Sequence, residues 1–192
     1  PAEQTAEVGA ALAAISPATL NPEELTLMDP ACGSGHILVE GYDLFKAIYL
    51  ERGYRLRDIP RLILEKNLFG LDIDGRAAQL AGFALMMKAR ADDRRLFERG
   101  VKLNVMALVD SAEVDSEEVK KLGSEEVGKA VDELGSLFKH ATTFGSLIQV
   151  PESLAAKLPA LKQLSEVISQ DLFVSEALKR LRPLVQQAEL LA

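Results

Sequence analysis

The chain has 192 residues, a net charge of −7, one cysteine and two histidines. This length suffices for one well-buried domain and is too short for two large ones. One cysteine excludes an internal disulfide framework, two histidines leave no zinc-ligand spacing, and no run approaches the about 18 uncharged apolar residues of a membrane span. We therefore expect a cytoplasmic protein with no structural metal and no membrane partner, and the acidic balance argues against a surface that grips DNA phosphates by itself.

Residues 1–14 lack the basic segment of a signal peptide and are expected to form a poorly ordered lead-in. An apolar run at residues 25–29 ends at a Pro/Gly-rich turn, which predicts a first strand. Apolar residues then recur at helical spacing and predict a helix from residue 35 to about residue 50. Its predicted core stripe consists of Ile37, Leu38, Leu44, Phe45 and Ile48. The sequence Asp58-Ile59-Pro60 signals the start of a short helix that reaches residue 65 or 66.

A second apolar run, residues 67–73, has an acid near its end and predicts the second strand. Asp74 and Gly75 open a further helix, and we assign Asp74 as the N-cap of that helix rather than as a ligand. Residues 101–105 or 106 predict a weaker third strand. Because strands and helices alternate in this order, right-handed crossovers and a parallel sheet are predicted.

The character of the sequence changes from about residue 116, where apolar residues recur at helical spacing and prolines interrupt the pattern. We therefore divide the chain into the lead-in over residues 1–24, an α/β half-domain over residues 25–110 and a helical region over residues 111–192. The predicted fold class is α/β, a partial Rossmann-like sheet of about three parallel strands with a mainly helical C-terminal region.

The turn after the first strand has the sequence Asp29-Pro30-Ala31-Cys32-Gly33-Ser34-Gly35. Glycines let the backbone approach a ligand closely, and amides at a helix N-terminus favour a negative group. The third glycine of the dinucleotide fingerprint would fall at Leu38, which counts against a pyrophosphate-binding module. The turn therefore predicts a small polar cofactor, such as S-adenosylmethionine, at the carboxyl edge of the sheet.

Four individual residues bear on this prediction. Asp72 ends the second strand, where a carboxylate can accept hydrogen bonds from both hydroxyls of a ribose, and Ile73 would pack on an adenine face. Asp29 either faces the ammonium of a methionine group or caps the turn. Neither His36 nor His140 has a spacing that supports pairing with Cys32, so Cys32 is not expected to be a nucleophile.

These residues carry a family resemblance. Residues 29–38 resemble motif I of the amino-group DNA methyltransferases, and residues 69–74 with the Arg-Ala-Ala-Gln-Leu-Ala that follows resemble the motif II region. With the inserted segment 54–66 and the segment 140–152, the chain most resembles the large adenine-N6 methyltransferases of restriction-modification and BREX-type phage-defence systems. The resemblance implies a class I methyltransferase sheet that binds S-adenosyl-L-methionine through residues 29–35, Asp72 and Ile73. Asp29, Gly33 and Gly35 would hold the methionine end, Asp72 the ribose and Ile73 the adenine.

The sequence departs from this family at two motifs. Methyl transfer in the family uses an Asn/Asp-Pro-Pro-Tyr/Phe tetrapeptide that acts on a flipped adenine. This chain has eight prolines and no Pro-Pro pair, and its Asn21-Pro22-Glu23-Glu24 contains no aromatic residue. The motif III acid has no clear match, Asp110 being the nearest acid. We therefore expect a cofactor-binding fragment that stops short of its catalytic residues and is inactive alone.

The resemblance implies that the parent protein contacts DNA through parts outside this chain and associates with restriction or defence-complex subunits. Residues 25–29 would present an open strand edge, which either the helical tail covers or a second copy pairs with. Two other classes stay open: an S-adenosylmethionine-dependent enzyme acting on RNA or protein, and a non-catalytic scaffold module of a defence complex. Cofactor binding discriminates against the scaffold, because a scaffold has no need of Asp72.

Overall fold

The computed structural model describes residues 8–9, 11–12, 20–111, 124–170 and 179–192, so most of the lead-in lies outside the described residues. Three strands form one sheet in the order β1 (Leu27–Asp29), β2 (Leu68–Asp72) and β3 (Asn104–Ala107). Both strand pairs are parallel. The predicted class, a partial Rossmann-like α/β sheet of three parallel strands, is thereby confirmed.

The helices of the α/β part alternate with these strands. Helix α1 (His36–Glu51) follows β1, and the short α2 (Ile59–Leu62) continues into a π-helical turn, Ile63–Asn67, that leads directly into β2. Helix α3 (Gly75–Asp92) and a 3-10 turn, Leu96–Arg99, connect β2 to β3. The Asp74 side chain accepts a hydrogen bond from the backbone N–H of Arg76 at 2.8 Å, which confirms Asp74 as the N-cap of α3.

The described part of the C-terminal region is helical, as predicted. Its elements are α4 (Glu125–Leu137), α5 (Ala141–Phe144), a 3-10 turn (Gly145–Leu147), α6 (Glu152–Ala155), α7 (Leu158–Gln170) and α8 (Leu181–Leu191). None of the helices in the described ranges is long and apolar enough to cross a membrane.

The two faces of the sheet are covered by different helices. Alternate side chains of a strand point to opposite faces, and Leu68 packs with α1, α2 and α3 whereas Leu71 packs with the C-terminal helices. Met28 of β1 also packs against the C-terminal cluster. These helices therefore cover a face of the sheet, and no described residue forms a strand on the outer edge of β1.

Both leading strands begin later than predicted, and the buried Asn67 explains the difference. Its side-chain amide donates to the carbonyls of Pro22 and Leu25, each at 2.7 Å, and its oxygen accepts from the Tyr49 hydroxyl at 2.9 Å. The Leu25 carbonyl is thus bound by a side chain, and β1 starts at Leu27. Asn67 itself closes the π-helical turn, so β2 starts at Leu68.

The predicted core stripe of α1 is wrong at two positions. Ile37 and Leu44 are each 62 % exposed, whereas Tyr42 and Tyr49 are fully buried. Each tyrosine can be buried because its hydroxyl is hydrogen bonded, Tyr42 to Asp92 at 3.0 Å and Tyr49 to Asn67. The spacing of apolar residues within α1 gives no information about these polar partners, because they lie on other elements.

Candidate cofactor site at the carboxyl edge of the sheet

Parallel pairing brings the carboxyl ends of the strands to one edge. Asp29 is paired with Gly70 and Asp72 with Ala107, so the turn after β1, the end of β2 and the end of β3 are neighbours. The N–H of Leu108 donates to the Asp72 carbonyl at 2.8 Å and extends this contact one residue past β3. This edge is where α/β sheets of this kind bind their ligands.

The turn after β1 folds back onto the end of β2. The backbone N–H of Cys32 donates to the Leu71 carbonyl at 2.8 Å, and that of Gly33 donates to Asp72 Oδ2 at 2.7 Å. The Gly35 N–H closes the turn by donating to the Cys32 carbonyl at 2.8 Å. The position of the turn is therefore set by β2, through one main-chain contact and one side-chain contact.

The two glycines of the turn are required for different reasons. Gly35 has φ 84°, and a Cβ placed on it would lie 2.8 Å from the Cβ of Ala81, because the start of α1 packs closely against α3. Gly33 has φ 52°, and no atom lies within 4 Å of the position that its Cβ would occupy. Close packing against α3 and the positive φ together account for Gly35, whereas Gly33 has open space beside it.

The other turn residues frame this space. Pro30 and Ala31 are exposed, Ser34 is half-buried and Cys32 is buried. Gly35 is the N-cap of α1 and supplies no side-chain acceptor, so the first-turn amides of this 16-residue helix have no side-chain cap. Such amides carry partial positive charge and favour an anionic group.

Asp72 connects the loops that follow β1 and β2. Its Oδ2 accepts from Gly33, and its Oδ1 accepts from the N–H of Asp74 at 2.8 Å. Asp72 is half-buried, and each carboxylate oxygen has two acceptor positions, so one remains on each oxygen. The side chain thus organises the edge and still has capacity to accept hydrogen bonds from a ligand.

Asp29 makes the turn-capping contact that the sequence analysis gave as one of its alternatives. Its Oδ1 accepts from the Ala31 N–H at 3.2 Å. Burial, together with the nearby charges of Asp72 and Asp29, raises the pKa of the Cys32 thiol to about 11. Cys32 is therefore a protonated, buried thiol at neutral pH, which agrees with the expectation that it is not a nucleophile.

Ile73, at the end of this edge, has a neighbour that the sequence analysis did not assign. Its side chain is 56 % exposed, and a Cβ on Gly145 would lie 3.4 Å from Ile73 Cγ2. In the sequence, segment 140–152 resembles the adenine-N6 methyltransferases, but this resemblance did not indicate that the segment would lie next to Ile73.

Asp110 also has a partner in this segment. Its two carboxylate oxygens accept from the N–H and the hydroxyl of Thr142, both at 2.8 Å. These hydrogen bonds lower the pKa of Asp110.

Among the described residues, no group of three or more His, Cys, Asp or Glu side chains is arranged to hold a metal ion.

The fold and the site together define a Rossmann-like α/β protein. Its glycine-rich and acidic loops lie at the carboxyl edge of the strands. The sequence matches the family described as MmeI, DNA-methyltransferase domain, over residues 16–133. The chain belongs to this methyltransferase-domain family, and the resemblance identified from motifs I and II is confirmed.

Two curated relatives agree with this assignment. The chain is 49 % identical over 217 aligned residues to the adenine-specific methyltransferase BrxX of Escherichia coli O9:H4 (strain HS), covering 100 % of this chain and 18 % of the relative. It is 43 % identical over 134 residues to the adenine-specific methyltransferase PglX of Lacticaseibacillus casei (strain Zhang), covering 69 % of this chain and 11 % of the relative. The chain thus spans less than a fifth of the length of either protein.

Proposed function

We propose that this chain is the S-adenosyl-L-methionine-binding part of a site-specific DNA adenine-N6 methyltransferase of a restriction-modification or phage-defence system. The observation that carries the proposal is the contact between Asp72 and Gly33. It places a half-buried carboxylate with spare acceptor positions beside a glycine that has open space next to it. Methyltransferase relatives with adenine-specific names support the choice of cofactor and of base.

The residues at the edge fit this cofactor in charge and in hydrogen-bonding capacity. The free amides at the start of α1 suit the methionine carboxylate, and the Asp29 carboxylate suits the methionine ammonium. Asp72 would accept hydrogen bonds from the ribose hydroxyls, and the exposed Ile73 would contact the adenine. When bound, the cofactor supplies an electrophilic methyl group on a sulfonium centre. The chain's own residues hold and orient it.

Methyl transfer itself is assigned to parts outside this chain. The 192 residues contain no Pro-Pro pair and hence no Asn/Asp-Pro-Pro-Tyr/Phe tetrapeptide, so we propose that the chain alone is inactive. Several of its basic residues form ion pairs with acidic side chains, as in Arg61–Glu65, Lys88–Asp43 and Arg99–Asp93. Engagement of DNA, and of any restriction or defence subunit, is accordingly proposed for other parts of a longer cytoplasmic protein.

Calorimetric titration of S-adenosylmethionine tests the cofactor site. We expect the unsubstituted chain to bind and Asp72→Ala to bind about five- to a hundredfold more weakly, the scale for leaving buried polar groups unpaired. Asp74→Ala is the matched control, since it removes a carboxylate two residues away that caps α3. That variant should lose about 1 kcal/mol of stability and keep its affinity.

Three results would each contradict a part of the proposal. Absence of binding to the unsubstituted chain would remove the cofactor role from these residues and favour a scaffold module. Equal affinities for the unsubstituted chain and Asp72→Ala would remove the ribose role from Asp72. DNA methylation by residues 1–192 alone would contradict the proposed inactivity.

A further inference from the structure

Segment 140–148 lies at the same edge as the candidate cofactor site, although it belongs to the C-terminal helical region. Gly145 lies next to Ile73, because a Cβ on Gly145 would be 3.4 Å from Ile73 Cγ2. Gly145 has φ 55°, a backbone conformation that favours glycine, and it begins the 3-10 turn after α5. The contact brings a second element to the residue that is proposed to meet the adenine.

This segment is fixed in place at several points. The Asp110 carboxylate holds Thr142 through two 2.8 Å hydrogen bonds, and the N–H of Leu108, two residues before Asp110, is bonded to the Asp72 carbonyl. Ala141 and Ile148, at the ends of the segment, are buried in the C-terminal core. The end of β2 is thus connected to α5 by hydrogen bonds at Asp72–Leu108 and Asp110–Thr142, with the three-residue segment 108–110 between them.

Between these buried ends the segment exposes apolar side chains. Phe144 is 55 % exposed and Leu147 is 79 % exposed, while Ile73 next to Gly145 is 56 % exposed. Exposed apolar side chains at a polar cofactor edge are suited to the flat faces of a purine ring, which need apolar contacts that the carboxylates cannot supply. The His140 and Phe144 rings make an edge contact with centroids 6.5 Å apart, which places a second ring beside Phe144.

We propose that α5 and the turn at Gly145–Leu147 form a wall of the cofactor site beside Ile73, with Phe144 as a side chain that contacts the adenine. This inference rests on the proposed function, since it assigns a further binding residue to the same cofactor. It gives the segment a role in base recognition beyond its packing on the sheet. Asp110 then acts as a positioning residue, because it holds α5 through Thr142 without touching the cofactor.

The chain contains no tryptophan, so one introduced tryptophan is a unique fluorescent reporter. Phe144→Trp is compared with Phe97→Trp, because Phe97 is exposed to a similar extent, 56 %, and lies in the 3-10 turn before β3, beside Arg90. On titration with S-adenosylmethionine, we expect the emission of Trp at position 144 to change with a midpoint equal to the calorimetric Kd. Adenosine should cause the same change and methionine should not, while Phe97→Trp should stay constant with all three.

Phe144→Ala supplies an independent measurement. We expect its calorimetric Kd for S-adenosylmethionine to rise about three- to tenfold, the scale of one aromatic contact, with an unchanged melting temperature. Unchanged affinity of Phe144→Ala, or unchanged emission of Phe144→Trp at saturating cofactor, would overturn the inference and leave the proposed function intact. Failure of the unsubstituted chain to bind S-adenosylmethionine would overturn both.

Discussion

The Gly33 amide and the Asp72 carboxylate are joined by a 2.7 Å hydrogen bond, which links the turn after β1 to the end of β2. The acid that the sequence suggested for a ribose therefore also holds the glycine-rich turn in place. Asp72→Ala should therefore lower stability as well as the proposed cofactor affinity, because removing the carboxylate leaves the amides of Gly33 and Asp74 without their acceptor. For this reason the cofactor test includes a neighbouring acid, which affects stability alone.

The two glycines of the turn should differ in their tolerance of a methyl group. Gly35→Ala places a Cβ 2.8 Å from the Cβ of Ala81 at φ 84°, so both overpacking and backbone strain act against it. We expect its free energy of unfolding to fall by about 2–4 kcal/mol. Gly33→Ala adds only the strain of φ 52° in open space and should cost about 1–2 kcal/mol. Urea denaturation measures both, and equal losses would contradict the packing role of Gly35.

Asn67 should contribute strongly to stability although it is polar. Its buried side chain binds two carbonyls and one hydroxyl, so Asn67→Ala leaves the carbonyls of Pro22 and Leu25 and the Tyr49 hydroxyl without that partner. We expect a loss of about 2–4 kcal/mol in thermal or urea unfolding.

Asn104→Ala is the comparison for Asn67→Ala. Asn104 is half-buried and donates to the carbonyls of Leu64 and Glu65 at 3.3 and 3.0 Å, near water that can replace those contacts. Its loss should be smaller, about 1 kcal/mol. An Asn67→Ala variant as stable as Asn104→Ala would show that the link between the π-helical turn and the start of β1 is dispensable.

The Asp110–Thr142 contact should appear in the pH dependence of stability. The folded chain holds the pKa of Asp110 below its usual value, so the unfolded chain binds a proton first as the pH falls. This contribution is present above the unfolded pKa, near 3.8, and is lost as the pH falls through the lower folded value. In Asp110→Asn and in Thr142→Val, the free energy of unfolding measured in urea should depend less steeply on pH between about pH 2 and pH 5. A pH dependence as steep as that of the unsubstituted chain would contradict the role of the Asp110–Thr142 contact.

The single cysteine gives a direct measure of order in the turn. Because the pKa of Cys32 is raised to about 11 and its side chain is buried, little thiolate is present at pH 8. Alkylation by iodoacetamide at pH 8 should be at least about tenfold slower in the folded chain than in urea, and should accelerate as the pH approaches 11. Gly35→Ala should increase the folded-state rate by opening the turn. A rate equal to that of an unstructured thiol would contradict the buried position of Cys32.

Local patterns in the sequence determined the outline of this fold. The strand–turn–helix alternation, the parallel sheet, Asp72 at the end of β2 and Asp74 as an N-cap all follow from apolar periodicity and from residue preferences at helix starts. Motifs I and II were sufficient for the family, because their residues are contiguous. These features depend on neighbours within a few positions of the chain.

Tertiary structure decided the features that depend on contacts between distant segments. Gly35 is required by Ala81 of another helix, Asn67 shifts the start of β1, and Gly145 reaches Ile73 from the C-terminal region. The exposure of Ile37 and Leu44 follows from tyrosines whose hydroxyl partners lie on other elements. Sequence periodicity records only whether a residue is apolar, whereas burial depends on which partner the folded chain brings to it.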